Sequence, residues 1–330
     1  MAEVAPFTVV TTFAGCGGSS LGYKQAGGRV LLAVEWDNHA ADIYRRNHAT
    51  TDLFHGDIAS ISVDEVLRRT SLKPGELDIF DGSPPCQGFS TSGHRKMEDT
   101  RNQLFREYVR LLRGLRPKAF VMENVGGMVM GKMRLIFAEI LKELKESGYR
   151  VSARKLNAAN YGVPQARQRM IFVGVRKDLG IDPSHPEPTH APISVSAALR
   201  GLRLDEAEVA HLLEIGKQKG IYQQWQFMKP GSNLSKLGLK NGFNTVRLDP
   251  MKPAPTITKS AGSLGFGGLL HWAERRAMTV AEMKRLSGFP DDFDFGDKYK
   301  AAVERIGNTV PPPLMKAVAS HIRATVLEQL

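Results

Sequence analysis

Through its first half the chain alternates short apolar runs, rich in β-branched residues, with stretches whose apolar positions recur every three or four residues. That alternation predicts strands and helices in βαβ order and a largely parallel sheet. "FTVVTTF" (7–13) reads as a strand, followed by a glycine-rich turn and a helix near 19–26. "VLLAVEW" (30–36) is a second strand and 37–47 a second helix. "ELDIFDG" (76–82) and "KAFVMEN" (118–124) are two more buried strands. Between them Leu104, Tyr108, Leu111, Leu112 and Leu115 fall at helical spacing and form one apolar stripe. An amphipathic helix over 133–149 stops at Gly148, and 150–158 with 169–175 reads as a strand pair.

The pattern loosens after about residue 180. The proline-rich "IDPSHPEPTHAP" (181–192) has turn or linker chemistry, and from there to about 272 glycine, lysine and isolated apolar residues follow no clean period. This predicts a smaller, irregular second lobe. Helical spacing returns at "TVAEMKRLSGF" (279–289), and a last striped helix follows "GNTVPPP" (307–313).

Composition narrows the class. The 330 residues are 42% hydrophobic, enough for a proper core, and the formal net charge of +11 favours an anionic partner such as nucleic acid. Two cysteines, Cys16 and Cys86, cannot build a disulfide scaffold, and without a CxxC pair no zinc or other metal site is expected. No run approaches the length of a membrane span, and the N-terminus lacks a signal-peptide pattern, so a reducing cytoplasm is the expected compartment.

Two loops carry candidate chemistry. "FAGCGGSSLG" (13–22) follows a strand and opens a helix, where α/β enzymes place a nucleotide-like ligand. Twenty residues beyond Gly15, at the end of the second strand, Glu35 is placed to accept from both ribose hydroxyls, and Trp36 offers a flat face to a purine. A dinucleotide fingerprint would need glycine at position 20, where Ser20 stands. An adenosine ligand without phosphates, such as S-adenosylmethionine, fits at least as well; a plain tight turn remains the bland alternative.

The second loop is "DGSPPCQGFS" (81–90). Ser83 and Pro84 each precede a proline and are pushed to extended geometry, and Pro84 and Pro85 fix their own φ. Cys86 is thereby presented stiffly at a strand's carboxyl end, which lowers the entropic cost of holding a nucleophile in attack geometry. A lone cysteine is more usually a small buried apolar residue. Here the flanking Gln, Gly and Ser argue against burial, and the polar "TSGHRKMEDTRNQ" (91–103) has the composition of a lid over a site.

"FAGCGGSSLG", "GSPPCQGFS", "ENV" (123–125), "QARQR" (165–169) and "GNTVPPP" occur in this order, and on them the chain resembles the DNA (cytosine-5)-methyltransferases of compact bacterial type. The resemblance covers all but the variable second lobe. It implies a Rossmann-like, S-adenosylmethionine-dependent methyltransferase sheet of the α/β class with helices on both faces, plus a smaller target-recognition domain. The implied division is 1–183 for catalysis and cofactor binding, completed by 305–330, with 184–272 for target recognition and 273–304 as hinge and support.

The implied chemistry is covalent. The thiolate of Cys86 adds to carbon 6 of a cytosine flipped out of duplex DNA and makes carbon 5 nucleophilic enough to take a methyl group. Glu123 serves N3, Arg169 contacts O2, and Arg167 stabilises the site's carboxylate or the phosphate backbone. Phe13, Gly15 and Gly17 line the cofactor, Glu35 takes its ribose and Trp36 its adenine face. Asp57 accepts from the adenine amino group with Ile58 beside it, and Pro85, Leu104, Asn308 and Val310 complete the wall. S-adenosylhomocysteine is the product. Gln87, Ser90, Ser92 and Arg101 are placed for DNA contact, and Arg247 lies in the basic, polar stretch 243–268 suited to phosphate anchoring and base readout.

A monomer acting on double-stranded DNA near the nucleoid is expected, with no obligate protein partner and no membrane. The runner-up substrate is tRNA, whose methylating relatives carry a Cys-Phe-Thr signature in the second lobe that is missing here. A catalytically silent DNA-binding regulator is a third reading; retention of Cys86, Glu123 and Arg169 together speaks against it.

Overall fold

A computed structural model describes residues 6–85, 100–125, 133–218, 223–238, 245–262 and 268–330, excluding the side chains of 100–102 and 133. They divide into two compact units. The first comprises Met1–Leu156, Gln168–Glu187 and Met315–Leu330; the second comprises Asn157–Arg167 and Pro188–Leu314.

The first unit is built on a seven-stranded sheet. Its strands are β1 (Phe7–Thr12), β2 (Gly28–Glu35), β3 (Asp52–His55), β4 (Ile79–Gly82), β5 (Ala119–Val125), β6 (Tyr149–Asn157) and, after the two-residue β7 (Gln165–Ala166) of the second unit, β8 (Gln168–Arg176). The order is β3-β2-β1-β4-β5-β8-β6. The first five run parallel, and β8 is antiparallel to β5 with Val125 opposite Arg169. The chain therefore leaves β1 toward one side and returns on the other at β4, and that switch point is where open α/β sheets hold ligands.

The central strands are largely apolar because both sheet faces are covered. On one face Val10, Phe80, Phe120, Met122 and Phe172 pack against α3 (Val63–Thr70), α4 (Thr100–Leu115) and α5 (Met133–Glu146), which follow α1 (Gly18–Gln25) and α2 (Asn38–Asn47) in the chain. The stripe read from sequence is the buried face of α4: Tyr108, Leu111 and Leu112 are fully covered, and the Tyr108 ring stacks on Phe80 at 4.8 Å. The alternate positions Thr11, Asp81, Val121 and Glu123 point to the opposite face, on which Tyr23 of α1 lies.

Two elements escaped the sequence pattern. β3 is a short, half-exposed edge strand without an apolar run, and α3 buries only Val66 completely. The loosely patterned stretch carries the helix Glu206–Gln218, which its sequence did not predict, while Val280–Leu286 falls where helical spacing returns, followed by the helix Tyr299–Asn308. Residues 157–167 and 273–314 cluster with the second unit, and the chain returns to the first at Met315. No described helix is long and apolar enough to cross a membrane.

Candidate active site

The carboxyl ends of β1 to β5 share one edge of the sheet. At β1 the chain turns sharply through Phe13 (φ 54°), Gly15 (φ 57°) and Gly17 (φ 93°) into α1. Gly17 has no alternative, because a Cβ there would overlap the ring of His48, itself buried and within 3.2 Å of the Lys24 ammonium. Burial holds the His48 imidazole down at about 3, so a neutral ring supports the turn. Gly17→Ala is expected to weaken cofactor binding by on the order of 10-fold or more, through φ strain and displacement of His48. Calorimetric titration measures this; unchanged affinity would remove the loop from the site.

Glu35 ends β2 directly opposite. Its Oε2 accepts from the Gly15 N–H (2.7 Å) and its Oε1 from the Asp37 N–H (2.8 Å). Burial raises this carboxyl, and the main-chain donors oppose the shift. Each oxygen keeps acceptor capacity for a diol. Beside it Trp36 is 73% exposed, an unusual placement for an indole and consistent with a stacking face. The Gly56 N–H donates to the Glu35 carbonyl and brings the next loop alongside, where Asp57 is exposed and caps a single turn by accepting from the Ala59 N–H, with Ile58 buried beneath. Phe13 and Leu104 both pack on the main core cluster. The donor set at this edge therefore fits an adenosine ligand: a carboxylate for the ribose, an exposed ring, and a glycine turn open to close approach.

At β4 the chain leaves through Pro84, buried, and Pro85, exposed. The Asn124 amide donates to the Pro84 carbonyl at 3.1 Å, so the end of β5 holds the segment that leads to Cys86. Sequence reasoning gave Asn124 no role; its place inside Glu-Asn-Val was the available signal. Glu123, next to it, is buried and forms an ion pair from Oε1 to the Arg169 Nε at 2.7 Å. Cys86, Gln87, Ser90 and Ser92 lie outside the described residues, as does the side chain of Arg101.

The two arginines of Gln-Ala-Arg-Gln-Arg meet different partners. Arg167 sits between β7 and β8, buried, donating from Nη1 to the Ile257 carbonyl (2.8 Å) and from Nη2 to the Gly307 carbonyl (2.9 Å), which braces the interior of the second unit. Arg167→Met is accordingly expected to lower stability by about 2–4 kcal/mol by stranding buried carbonyls, read as a thermal or urea shift, with methyl transfer per folded molecule largely kept. Arg247 is similarly engaged: it stacks on Trp225, with its guanidinium carbon 3.6 Å from the ring centroid, and donates to the carbonyls of Trp272, Met228 and Trp225. A guanidinium so engaged holds its lobe together. Asn308, exposed, and Val310, buried, belong to the second unit.

Comparison with known proteins matches residues 7–324 to the family model for C-5 cytosine-specific DNA methylases. Curated relatives include the Type II methyltransferase M1.HphI of Haemophilus parahaemolyticus, 34% identical over 96% of this chain and 86% of its own length. Another is M.NgoPII of Neisseria gonorrhoeae, 32% identical over 97% and 96%. Among solved structures, a prophage-encoded DNA modification methyltransferase from E. coli is 26% identical and superposes with a TM-score of 0.78 over 97% of this chain and 99% of that one. The DNMT2 of Spodoptera frugiperda, at 18% identity and a TM-score of 0.69 over 97% and 99%, shares the fold.

Proposed function

Since the chain belongs to the C-5 cytosine-specific DNA methylases, we propose that it methylates carbon 5 of a cytosine within one short sequence of duplex DNA, by covalent catalysis through Cys86 with the base flipped from the helix. The observation that carries this reading is the joint held at the carboxyl edge: Asn124 fixes the Pro84 carbonyl two residues before the thiol, while its neighbour Glu123 is paired with Arg169. A carboxyl group paired with a guanidinium beside the segment that precedes the cysteine is what this reaction requires at that edge.

Each residue's task follows from cytosine chemistry. Thiolate addition at carbon 6 moves electron density onto N3 and O2. Glu123 donates a proton or hydrogen bond to N3, and Arg169, held by that same carboxylate, donates to O2. Carbon 5, now enamine-like, attacks a methyl electrophile; loss of the carbon-5 proton then expels the thiolate. S-adenosylmethionine, the family's methyl donor, supplies an activated sulfonium methyl. Glu35, with Trp36 and the Phe13–Gly17 turn, binds and orients it, Asp57 takes its exocyclic amine, and Ile58, Pro85 and Leu104 bound its apolar side. Flipping the base costs a few kcal/mol, to be recovered from contacts to the extrahelical nucleotide and the phosphates.

The curated relatives' names place them in Type II systems, and sequence-specific modification alongside a nuclease is the role we propose here as well. Expression in a host without cytosine methylation, followed by base-resolution mapping of 5-methylcytosine, tests the reading. Methylation confined to one motif is expected; unmodified DNA from well-expressed, folded protein would overturn it.

A further inference from the structure

One arginine outside the chemistry above holds the turn that carries Asp57 and Ile58. Arg110 lies on α4, the helix that the buried Tyr108, Val109, Leu111 and Leu112 fix to the sheet. From that base its Nη2 donates to the Ile58 carbonyl (3.1 Å) and to the Ile61 carbonyl (2.9 Å), the first and the capping residue of the single turn Ile58–Ser60. Its Nε donates to Glu107 Oε2, one helical turn back, at 2.6 Å, which fixes the plane of the guanidinium. The other end of the segment is tied to β2, where the Gly56 N–H donates to the Glu35 carbonyl at 3.0 Å. Asp57 stands between these two tethers. Its Oδ1 accepts from the Ala59 N–H (2.9 Å) inside the turn, so the direction of the carboxylate follows that of the turn.

We propose that Arg110 is a positioning residue for adenine recognition: by holding the Ile58 and Ile61 carbonyls it aims the Asp57 carboxylate at the exocyclic amine of the cofactor's adenine. This rests on the placement of S-adenosylmethionine beside Glu35, Trp36 and Asp57 given above.

Asp57 is exposed, and a carboxylate in water gains little by meeting a neutral amine unless its direction is fixed beforehand. The turn does not supply that rigidity by itself. Its own hydrogen bonds, from the Ala59 and Ser60 N–H groups and the Ser60 hydroxyl, end on Asp57 and move with it. The Ile58 and Ile61 side chains, buried in the core cluster, set the depth of the segment. Arg110 adds an external reference, binding carbonyls at both ends of the turn to one nitrogen on a helix packed against the sheet. A guanidinium suits the task because Nη2 carries two N–H groups in a fixed plane and serves two acceptors at once, whereas an ammonium has no fixed fork. The benefit is selective: only a base that offers a donor to Asp57 gains from a carboxylate held in place.

The test is calorimetric titration of the full-length protein with S-adenosylhomocysteine and with its analogue carrying purine, which lacks the exocyclic amine, in place of adenine. Arg110→Met keeps an apolar stem and removes the donors. It is expected to weaken S-adenosylhomocysteine by about 10-fold and the purine analogue by less than about 2-fold, with KM for S-adenosylmethionine raised and kcat at saturating cofactor unchanged. Asp57→Ala should give the same pattern, and adding Arg110→Met to it should change little further, since the group being aimed is gone. Equal losses for the two ligands, or additive losses in the double variant, would make Arg110 a general brace and overturn the proposal. Should Arg110→Met fold poorly, Arg110→Lys keeps the charge beside Glu107 but not the fork, and should narrow the preference for S-adenosylhomocysteine over the purine analogue; an unchanged preference overturns the proposal as well. The two possible failures are distinguishable. Wild-type affinities in Asp57→Ala would defeat the placement of adenine at Asp57, whereas a loss in Asp57→Ala without one in Arg110→Met would defeat the part given to Arg110 alone.

Discussion

Cys86→Ser is expected to reduce methyl transfer by on the order of 10,000-fold or more, while cofactor and DNA binding stay close to wild type. A serine hydroxyl is a far poorer nucleophile at neutral pH than a thiol with a few per cent thiolate, and no neighbouring base is assigned to activate it. Without addition at carbon 6, carbon 5 has no route to adequate nucleophilicity. The stiffening from Pro84 and Pro85 and the Asn124 bond to the Pro84 carbonyl would serve no catalytic purpose if the residue they lead to were only a packed sulfur. Single-turnover transfer of labelled methyl groups gives the rate, and gel-shift and calorimetric titrations give the two affinities. A serine enzyme within a few fold of wild type would show that the thiol is not the nucleophile.

Glu123→Gln should cost about 100- to 10,000-fold in the same rate. The amide is isosteric, and its oxygen still accepts from the Arg169 Nε now 2.7 Å from the carboxylate, so the fold and the guanidinium's orientation should survive. What disappears is the transferable proton, needed when charge develops on N3. The loss should fall on the chemical step and leave cofactor affinity intact, because the carboxylate proposed to hold the cofactor is Glu35, anchored by Gly15 and Asp37 three strands away. A matching fall in cofactor affinity would recast Glu123 as a structural group.

The sheet was legible because its central strands are buried on both faces and therefore read as largely apolar runs; β4 and β5 are buried in all but one position. β3 was not, since an edge strand with half-exposed residues gives no period to detect. The site was legible where chemistry demands particular residue types, as in the glycine turn opposite Glu35 and the Pro-Pro-Cys loop. At Arg167 and Arg247 charge suggests a ligand, while in the fold both guanidiniums meet main-chain carbonyls. Composition cannot distinguish those roles; only the carbonyls that meet each guanidinium do. Asn124 was overlooked for the opposite reason: a polar residue at the end of an apolar strand looks like a blemish in the pattern until its neighbours are known.

The most direct test of the covalent mechanism uses duplex DNA in which 5-fluorocytosine replaces cytosine. Fluorine cannot leave carbon 5 as a proton does, so an enzyme that has added to carbon 6 and transferred its methyl group is trapped on the base. Incubation with S-adenosylmethionine should give a protein–DNA adduct that survives denaturation, with the modified and methylated base on the peptide containing Cys86. Absence of any adduct, from a preparation that methylates ordinary DNA, would contradict covalent catalysis by this residue.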